Sequence, residues 1–149
     1  MTDAPLPADR TRVQVVALLY AIIILLLGLF GFVPGITTNY GDLDLAGDES
    51  TAQVLGAFQT SALHNVVHAG AGIVGIFMAR TWPGARTFLL GAGILFVALW
   101  LLGIAGAADW IPTDSAGNWL HLGIGGSMIA LALLFGRDRG AVGAMPDRD

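Results

Sequence analysis

Three histidines carry the chemistry that this sequence could perform. His64, His68 and His121 all lie within long apolar runs that contain no Asp, Glu, Lys or Arg. An ionisable side chain in such a run is by default a candidate functional residue, because burying it in lipid is costly. His64 and His68 are four residues apart, so on a helix they share one face. As one alternative, this spacing suits a pair of ligands that His121 would join from another helix.

Imidazoles in this arrangement suit three kinds of functional site. His68 and His121 would serve as the two axial ligands of a haem held between two helices. Alternatively, all three histidines would bind a transition metal such as zinc or copper. A third possibility is a proton site, because histidine titrates near neutral pH. The sequence leaves these alternatives open.

A structural role is the interpretation that the sequence favours for these histidines. His68 and His121 each follow an asparagine by three residues. If Asn65 and Asn118 cap their helices, each imidazole falls in the first turn, where it can hydrogen-bond to a loop carbonyl or a neighbouring helix and pin the hairpin. If Ser61 caps the second helix instead, His68 lies about 10 Å below the helix start. Both registers are compatible with the sequence.

Composition excludes several other chemistries. The chain has no cysteine, which rules out thiolate metal sites, and its net charge of −4 argues against a nucleic-acid partner. No catalytic triad, phosphate loop or carboxylate pair has a recognisable spacing, so we expect a protein that is not an enzyme. The stretch from Asp42 begins like a calcium loop, but its fifth and twelfth positions are Ala46 and Gln53. An ordinary acidic loop is the expectation there.

Four long apolar runs predict the helices that hold the histidines. Hydrophobic residues make up 55% of the chain, which leaves too little polar sequence to cover a soluble bundle. Each run approaches the length needed to cross a hydrocarbon core of roughly 30 Å. The predicted fold class is therefore all-α, an integral membrane four-helix bundle. Its spans are residues 13–33, 61–79, 88–107 and 118–135, in a membrane domain of residues 13–136 with disordered tails at 1–12 and 137–149.

The charge distribution predicts how the chain is oriented in the membrane. All seven basic residues are arginines, placed before the first span, between the second and third, and after the fourth. Basic residues are retained in the cytoplasm, so both termini are expected there, in a bacterial plasma membrane. Pro83 and Gly84 are expected to form the short inner turn. The outer loop, residues 34–60, is expected to carry an amphipathic helix over residues 49–59 on the bilayer surface.

An internal repeat relates the second span to the fourth. Residues 65–72 and 118–125 both follow the pattern N-x-x-H-x-G-x-G, and a weaker match joins residues 26–31 to 101–106. The chain is therefore predicted to consist of two tandem, pseudo-symmetric helical hairpins. Small residues at helical spacing are expected to let the helices pack closely. These residues are Ala71, Gly75, Ala79, Gly103 and Ala107.

The same residues carry a resemblance to a known family. The Asn-x-x-His signature at Asn65 and again at Asn118, with Gly56, Phe58 and Asp109 around it, resembles the bacterial membrane family catalogued as domain of unknown function four-three-eight-three. The resemblance covers residues 11–136 and implies a small four-helix membrane protein. The first outer loop is longer and more acidic than the family pattern implies. The resemblance transfers no activity.

These observations together predict a small non-enzymatic membrane protein with a structural or accessory role. The first alternative is a haem- or metal-binding redox protein that uses His68 and His121, with His64 in support. The second is a small oligomeric transporter or channel. The expected partners are the lipid bilayer and other membrane proteins, copies of the same chain included, and not nucleic acid. No cofactor is favoured, with haem or a transition metal as the alternative.

Overall fold

Four α-helices make up most of the described structure, which confirms the all-α prediction. The computed structural model describes residues 10–107, 110–112 and 114–137. The predicted disordered tails lie almost wholly outside these described residues, and so does Asp109. The helices are α1 Arg12–Phe30, α2 Ala62–Met78, α3 Trp82–Ile104 and α4 Ser115–Phe135.

Three of the described helices, α1, α3 and α4, are long and apolar enough to cross a membrane. Their outward faces are apolar, with Leu19, Ile94 and Leu134 each more than half exposed. A soluble bundle would bury such residues, whereas a lipid-facing surface consists of them. The remaining helix, α2, is also apolar but has 17 residues, about 25 Å at the standard rise. A crossing by α2 stays a prediction.

The third helix begins earlier than the sequence analysis predicted. Thr81 caps α3, and its hydroxyl accepts a hydrogen bond from the Gly84 N–H at 3.2 Å. Pro83 therefore lies in the first turn, where a missing N–H costs nothing. The prediction that Pro83 and Gly84 form the inner turn was wrong, because both belong to α3.

The helices pack as two close pairs. α1 packs mainly against α2, and α3 mainly against α4. Glycines bring the paired backbones into contact: a Cβ built on Gly28 would lie 2.5 Å from the backbone nitrogen of Ala69. A Cβ on Gly125 would lie 2.7 Å from the carbonyl oxygen of Gly93. Such approach matters in lipid, which supplies no hydrophobic drive for helices to associate.

Four of the five predicted small packing residues lie at helix contacts. A Cβ on Gly75 would meet Ala21 at 2.8 Å, Ala79 is buried, and Ala71 packs against the core. Gly103 lies against the side chain of Asn118. Ala107 differs, because it follows the end of α3 and is exposed. The core that these contacts surround is built largely of small and aliphatic residues, among them Ala17, Ala21, Ile24, Leu89 and Met128.

The long loop between α1 and α2 forms a small antiparallel sheet. Its strands are β1 Thr37–Thr38, β2 Gln53–Val54 and β3 Phe58–Gln59, in the order β1-β2-β3. The prediction of an amphipathic helix over residues 49–59 was therefore wrong. Leu55 and Gly56 adopt positive φ angles of 55° and 66°, which reverse the chain between β2 and β3 and cannot occur within an α-helix.

The two ends of the bundle differ in charge. Gln14 Nε2 near the start of α1 donates to the carbonyl oxygen of Arg80 at 2.8 Å, and the Arg12 guanidinium lies 5.9 Å from the ring centroid of Phe135. We call this end the arginine end. It holds all the described arginines: Arg10, Arg12, Arg80, Arg86 and Arg137. The opposite end, with the sheet and the starts of α2 and α4, is the histidine end.

Candidate metal centre

The N-terminal caps of α2 and α4 decide how deep the histidines lie. Ser61 caps α2 by accepting a hydrogen bond from the His64 N–H at 3.3 Å. Asp114 caps α4 by accepting one from the Gly117 N–H at 3.3 Å. The asparagines of the repeat are therefore not caps, and each lies one turn inside its helix. His68 and His121 occupy the same position in their helices, seven residues after the cap.

Each asparagine of the repeat packs against a glycine on the neighbouring helix. The Asn65 side chain lies over Gly31 at the end of α1, and the Asn118 side chain lies over Gly103 of α3. These contacts make Gly31 the counterpart of Gly103. The weaker sequence match instead aligned Gly28 with Gly103, which is one helical turn away. Pseudo-symmetry of the whole hairpins stays a prediction.

The three imidazoles converge at the histidine end. One ring nitrogen from each of the three histidines lies within 4.8 Å of the others. The rings of His64 and His68 stack with centroids 4.3 Å apart, and His121 of α4 approaches them at 5.9 and 6.2 Å. Nitrogens bound to one tetrahedral zinc lie roughly 3.3 Å apart, given a Zn–N distance of about 2.0–2.1 Å. Small side-chain rotations would therefore bring all three nitrogens to a single ion.

A backbone carbonyl orients one of these rings for ligation. His68 Nδ1 lies 3.0 Å from the carbonyl oxygen of His64. A carbonyl oxygen only accepts hydrogen bonds, so Nδ1 carries the proton and Nε2 keeps a free lone pair. Histidines that bind metals commonly donate their second ring nitrogen to a carbonyl or carboxylate in this way. His68 is thus prepared to offer Nε2 to an ion.

Hydrogen bonds from these rings do not link the helices within the described part of the chain. The single ring hydrogen bond, from His68 to His64, stays inside α2. The bonds that a structural pin would make to a loop carbonyl or another helix are not found there. Phe96 of α3 contacts the rings of His68 and His121, with centroids 5.8 and 5.4 Å away. The histidines therefore join α2, α3 and α4 by ring packing.

Two cavities adjoin the three histidines. The smaller, which we call the polar pocket, has a volume of about 30 Å³ and is lined on its polar side by Gln59, Thr60 and Asn65. The larger, which we call the apolar pocket, has a volume of about 190 Å³. Its wall is almost entirely apolar, with Leu63 and Val67 of α2 facing Leu95 and Leu99 of α3. All three histidines line both cavities.

The long loop is fastened over the histidine end by hydrogen bonds that sequence reasoning missed. The Gln59 N–H donates to Asp114 Oδ1 at 3.1 Å, so the cap of α4 also anchors β3. The N–H groups of Ala62 and Leu63 donate to the carbonyl oxygens of Asp44 and Leu45, each at 2.9 Å. Asp114, followed by Ser-Ala-Gly, is a helix-start signal from which the cap of α4 could have been predicted. The sheet-bearing part of the loop thus lines the polar pocket, through Val54, Phe58 and Gln59.

The acidic residues of this loop form no second cluster of ligands in the described structure. The three histidines are the one group of three or more His, Cys, Asp or Glu residues there with converging ligand atoms. The Asp42 carboxylate accepts a hydrogen bond from the Thr51 hydroxyl at 3.0 Å. Asp42 therefore contributes to the fold of the loop.

The geometry suits a single ion better than a haem. Small-molecule sites commonly measure about 300–1,000 Å³, whereas the apolar pocket offers about 190 Å³. Phe96 also packs across the rings of His68 and His121, where a porphyrin between the two would have to pass. The described arrangement therefore provides three convergent nitrogens without a slot for the macrocycle.

Comparison with known proteins identifies one family. A family model described as Domain of unknown function (DUF4383) matches residues 14–134, which is most of the chain. No curated protein and no solved structure matches the chain. Because the family description names no activity, function has to be argued from the site itself.

Proposed function

Since this chain belongs to the family described as Domain of unknown function (DUF4383), we propose its function from the site alone. It is a membrane protein that binds one divalent transition-metal ion through His64, His68 and His121. The observation that carries this proposal is the convergence of one ring nitrogen from each histidine within 4.8 Å. Imidazole nitrogen suits zinc, copper, cobalt and nickel, and the Irving–Williams order places copper highest in affinity.

The lone pairs of this cluster are available to an ion. His121 is 6% exposed, and neither its ring nor that of His64 makes a hydrogen bond to another described residue. The hydrogen bond at Nδ1 of His68 likewise leaves the lone pair on its Nε2 free. One ion would accept a lone pair from each of the three rings.

The test is a metal analysis of the wild-type protein. The chain is purified in mild detergent through a tag that contains no histidine, stripped with a chelator and equilibrated with a small excess of Zn²⁺. After unbound ion is removed, mass spectrometry of the metal content is expected to give one zinc per chain, and none in a variant with all three histidines replaced by alanine. Zinc at background level in the wild type, or equal zinc in both proteins, would contradict the proposal.

In the proposed membrane arrangement α2 crosses the membrane together with α1, α3 and α4, which gives four spans. The metal centre then lies at the outer surface of a bacterial plasma membrane. Its support is the separation of charge, because the described arginines all lie at the end opposite the histidines. Basic residues mark the cytoplasmic side of membrane proteins. Both termini would then be cytoplasmic, and the sheet would face the outside.

Cysteine labelling tests this arrangement directly, since the natural chain contains no cysteine. A membrane-impermeant maleimide added to intact cells is expected to label Asp48→Cys at the histidine end and to leave Arg137→Cys unlabelled until the cells are broken. Both positions are exposed, so accessibility within the protein is matched. The reverse labelling pattern would place the histidines in the cytoplasm, and labelling of both variants in intact cells would contradict a membrane barrier between the ends.

Transport and accessory roles stay predictions beside metal binding. Beyond the histidines and the outer asparagines, Ser127 is the polar residue that a solute path through the bundle would use. Its hydroxyl instead accepts a hydrogen bond from Tyr20 at 2.7 Å and donates to the carbonyl oxygen of Gly123 at 2.5 Å. A structural or accessory role does not conflict with a bound ion. The site therefore gives metal binding the more specific support.

A further inference from the structure

A metal bound by three histidines has a coordination position to spare. Sites with four protein ligands are closed, whereas sites with three leave the fourth position of a tetrahedral ion to water or another small molecule. Here the free position can open towards the polar pocket or the apolar pocket, because all three histidines line both. The chemistry of the two cavities decides between them.

The side-chain amide of Asn65 is a buried donor without an acceptor beside the polar pocket. Asn65 lines this pocket and is 1% exposed. Its Oδ1 accepts a hydrogen bond from the Thr60 hydroxyl at 2.5 Å, while its Nδ2 has no partner among the described residues. Buried donors are almost always paired in folded proteins, so an orphan at the wall of a cavity indicates a ligand or a bound water.

The neighbouring polar groups are already engaged. Gln59 Nε2 donates to the carbonyl oxygens of Asp48 and Ser50, at 2.5 and 2.7 Å. The Thr60 hydroxyl donates to Asn65, as above. Among the polar side chains on this wall, the Asn65 amide is therefore the one with a hydrogen to give.

Cavity size limits what the donor can meet. One water needs about 10–15 Å³, so the polar pocket of about 30 Å³ holds about two to three water-sized groups. The apolar pocket is larger, but apart from the histidines its wall offers almost no polar atom to a water or an anion. A small polar ligand is thus stabilised on the Asn65 side of the metal.

From these observations we infer that the free coordination position opens into the polar pocket and holds a water molecule or a small monodentate anion, to which the Asn65 amide donates a hydrogen bond. The inference rests on the proposed metal site. Asn65 is a positioning residue here, because it touches the exchangeable ligand and not the ion. The asparagine of the first repeat would then have a binding role in addition to packing on Gly31.

A cobalt-loaded protein tests the inference, because the visible absorption of Co²⁺ reports its ligands. Azide serves as the small anionic probe. Titration of the wild type is expected to shift the spectrum in a saturable way. Asn65→Leu is expected to weaken azide binding about tenfold to a hundredfold, as for loss of a hydrogen bond to a charged group, while Co²⁺ affinity is kept. Asn65→Asp keeps the shape and the acceptor for Thr60 but lacks the N–H, so the same loss is expected.

Asn118→Leu is the matched control. Asn118 holds the same helical position in α4 and packs on Gly103, yet it lines neither pocket. Azide affinity in this variant is expected to equal that of the wild type. Failure of Co²⁺ to bind would overturn the metal site and this inference together. Bound Co²⁺ whose spectrum ignores azide would overturn the inference alone.

Imidazole decides which cavity the free position faces. It is too large for the polar pocket but fits the apolar one, so we expect it to perturb the Co²⁺ spectrum far less than azide does. Imidazole binding as strong as that of azide, and equally strong in Asn65→Leu, would place the free position in the apolar pocket. That result would contradict the inference and leave the metal site standing.

Discussion

Replacing His121 by alanine is expected to weaken Zn²⁺ binding by at least about a hundredfold. Changes to groups that only orient a ligand already cost about 10–100-fold in metal affinity, and His121 is itself a ligand in this account. It is also the one ligand supplied by α4, so its loss leaves the i, i+4 pair His64 and His68 on α2. Competition with a chromogenic chelator in detergent measures the affinity, and circular dichroism checks that the helices persist.

Phe96→Leu separates ligation from packing in this experiment. Phe96 contacts the rings of His68 and His121, as a packing partner would, but has no ligand atom. Its zinc affinity is expected to stay within a few fold of the wild type. If Phe96→Leu loses as much affinity as His121→Ala, disturbance of the ring cluster explains both results. Unchanged zinc affinity in His121→Ala would remove His121 from the site.

Gly28→Ala is expected to destabilise the bundle by about 1–3 kcal/mol, the usual cost of forcing a methyl group into a filled site. The new Cβ would lie 2.5 Å from the backbone nitrogen of Ala69 and 2.6 Å from the carbonyl oxygen of Asn65. Both atoms belong to the backbone of α2, so α1 and α2 would have to separate as whole helices. The free energy of unfolding, measured by SDS titration in mixed micelles, is the observable.

Gly70→Ala is the control for this second prediction. Gly70 lies in α2, one residue beyond Ala69, but its Cβ would point into open space. Helix propensity alone then predicts no loss, and a gain of up to about 1 kcal/mol. Equal stability of Gly28→Ala and Gly70→Ala would contradict the close contact between α1 and α2.

Much of the helical architecture follows from the sequence, because apolar runs without charges are a strong signal for membrane helices. The sequence predicted the helix boundaries less well, and the start of α3 shows why. Thr81, Trp82 and Pro83 form a helix start, with a cap and a proline in the first turn, yet Pro-Gly pairs also mark turns. The same residues thus supported two interpretations, and the hydrogen bond from Gly84 to Thr81 decides between them.

The sheet over the histidine end was beyond the local pattern. The mixed polar and apolar pattern of residues 49–59 suits a surface helix as well as short strands, and strands of two residues depend on partners elsewhere in the loop. The helix register at His68 was also hard to predict, since Ser61 and Asn65 are both good caps. The hydrogen bond from Gln59 to Asp114 helps to explain why the loop forms a sheet, because it joins segments that are distant in the sequence.

Part of the candidate site was predictable. Among its alternatives, beside the structural role that it favoured, the sequence offered a site in which His64 and His68 share a helix face and His121 joins them from another helix. The structure brings the three together. The two pockets and the free amide of Asn65 could not be predicted, because they arise where the loop, α2 and α4 meet. Contacts of that kind leave no spacing in the sequence.

X-ray absorption at the zinc edge of the purified, zinc-loaded protein tests the central claim most directly. We expect the spectrum to show three imidazole nitrogens at about 2.0–2.1 Å and one further light ligand, with the imidazole signal reduced in His68→Ala. A spectrum of zinc bound only to oxygen, unaltered when His68 is replaced, would mean that the three histidines do not form a metal centre.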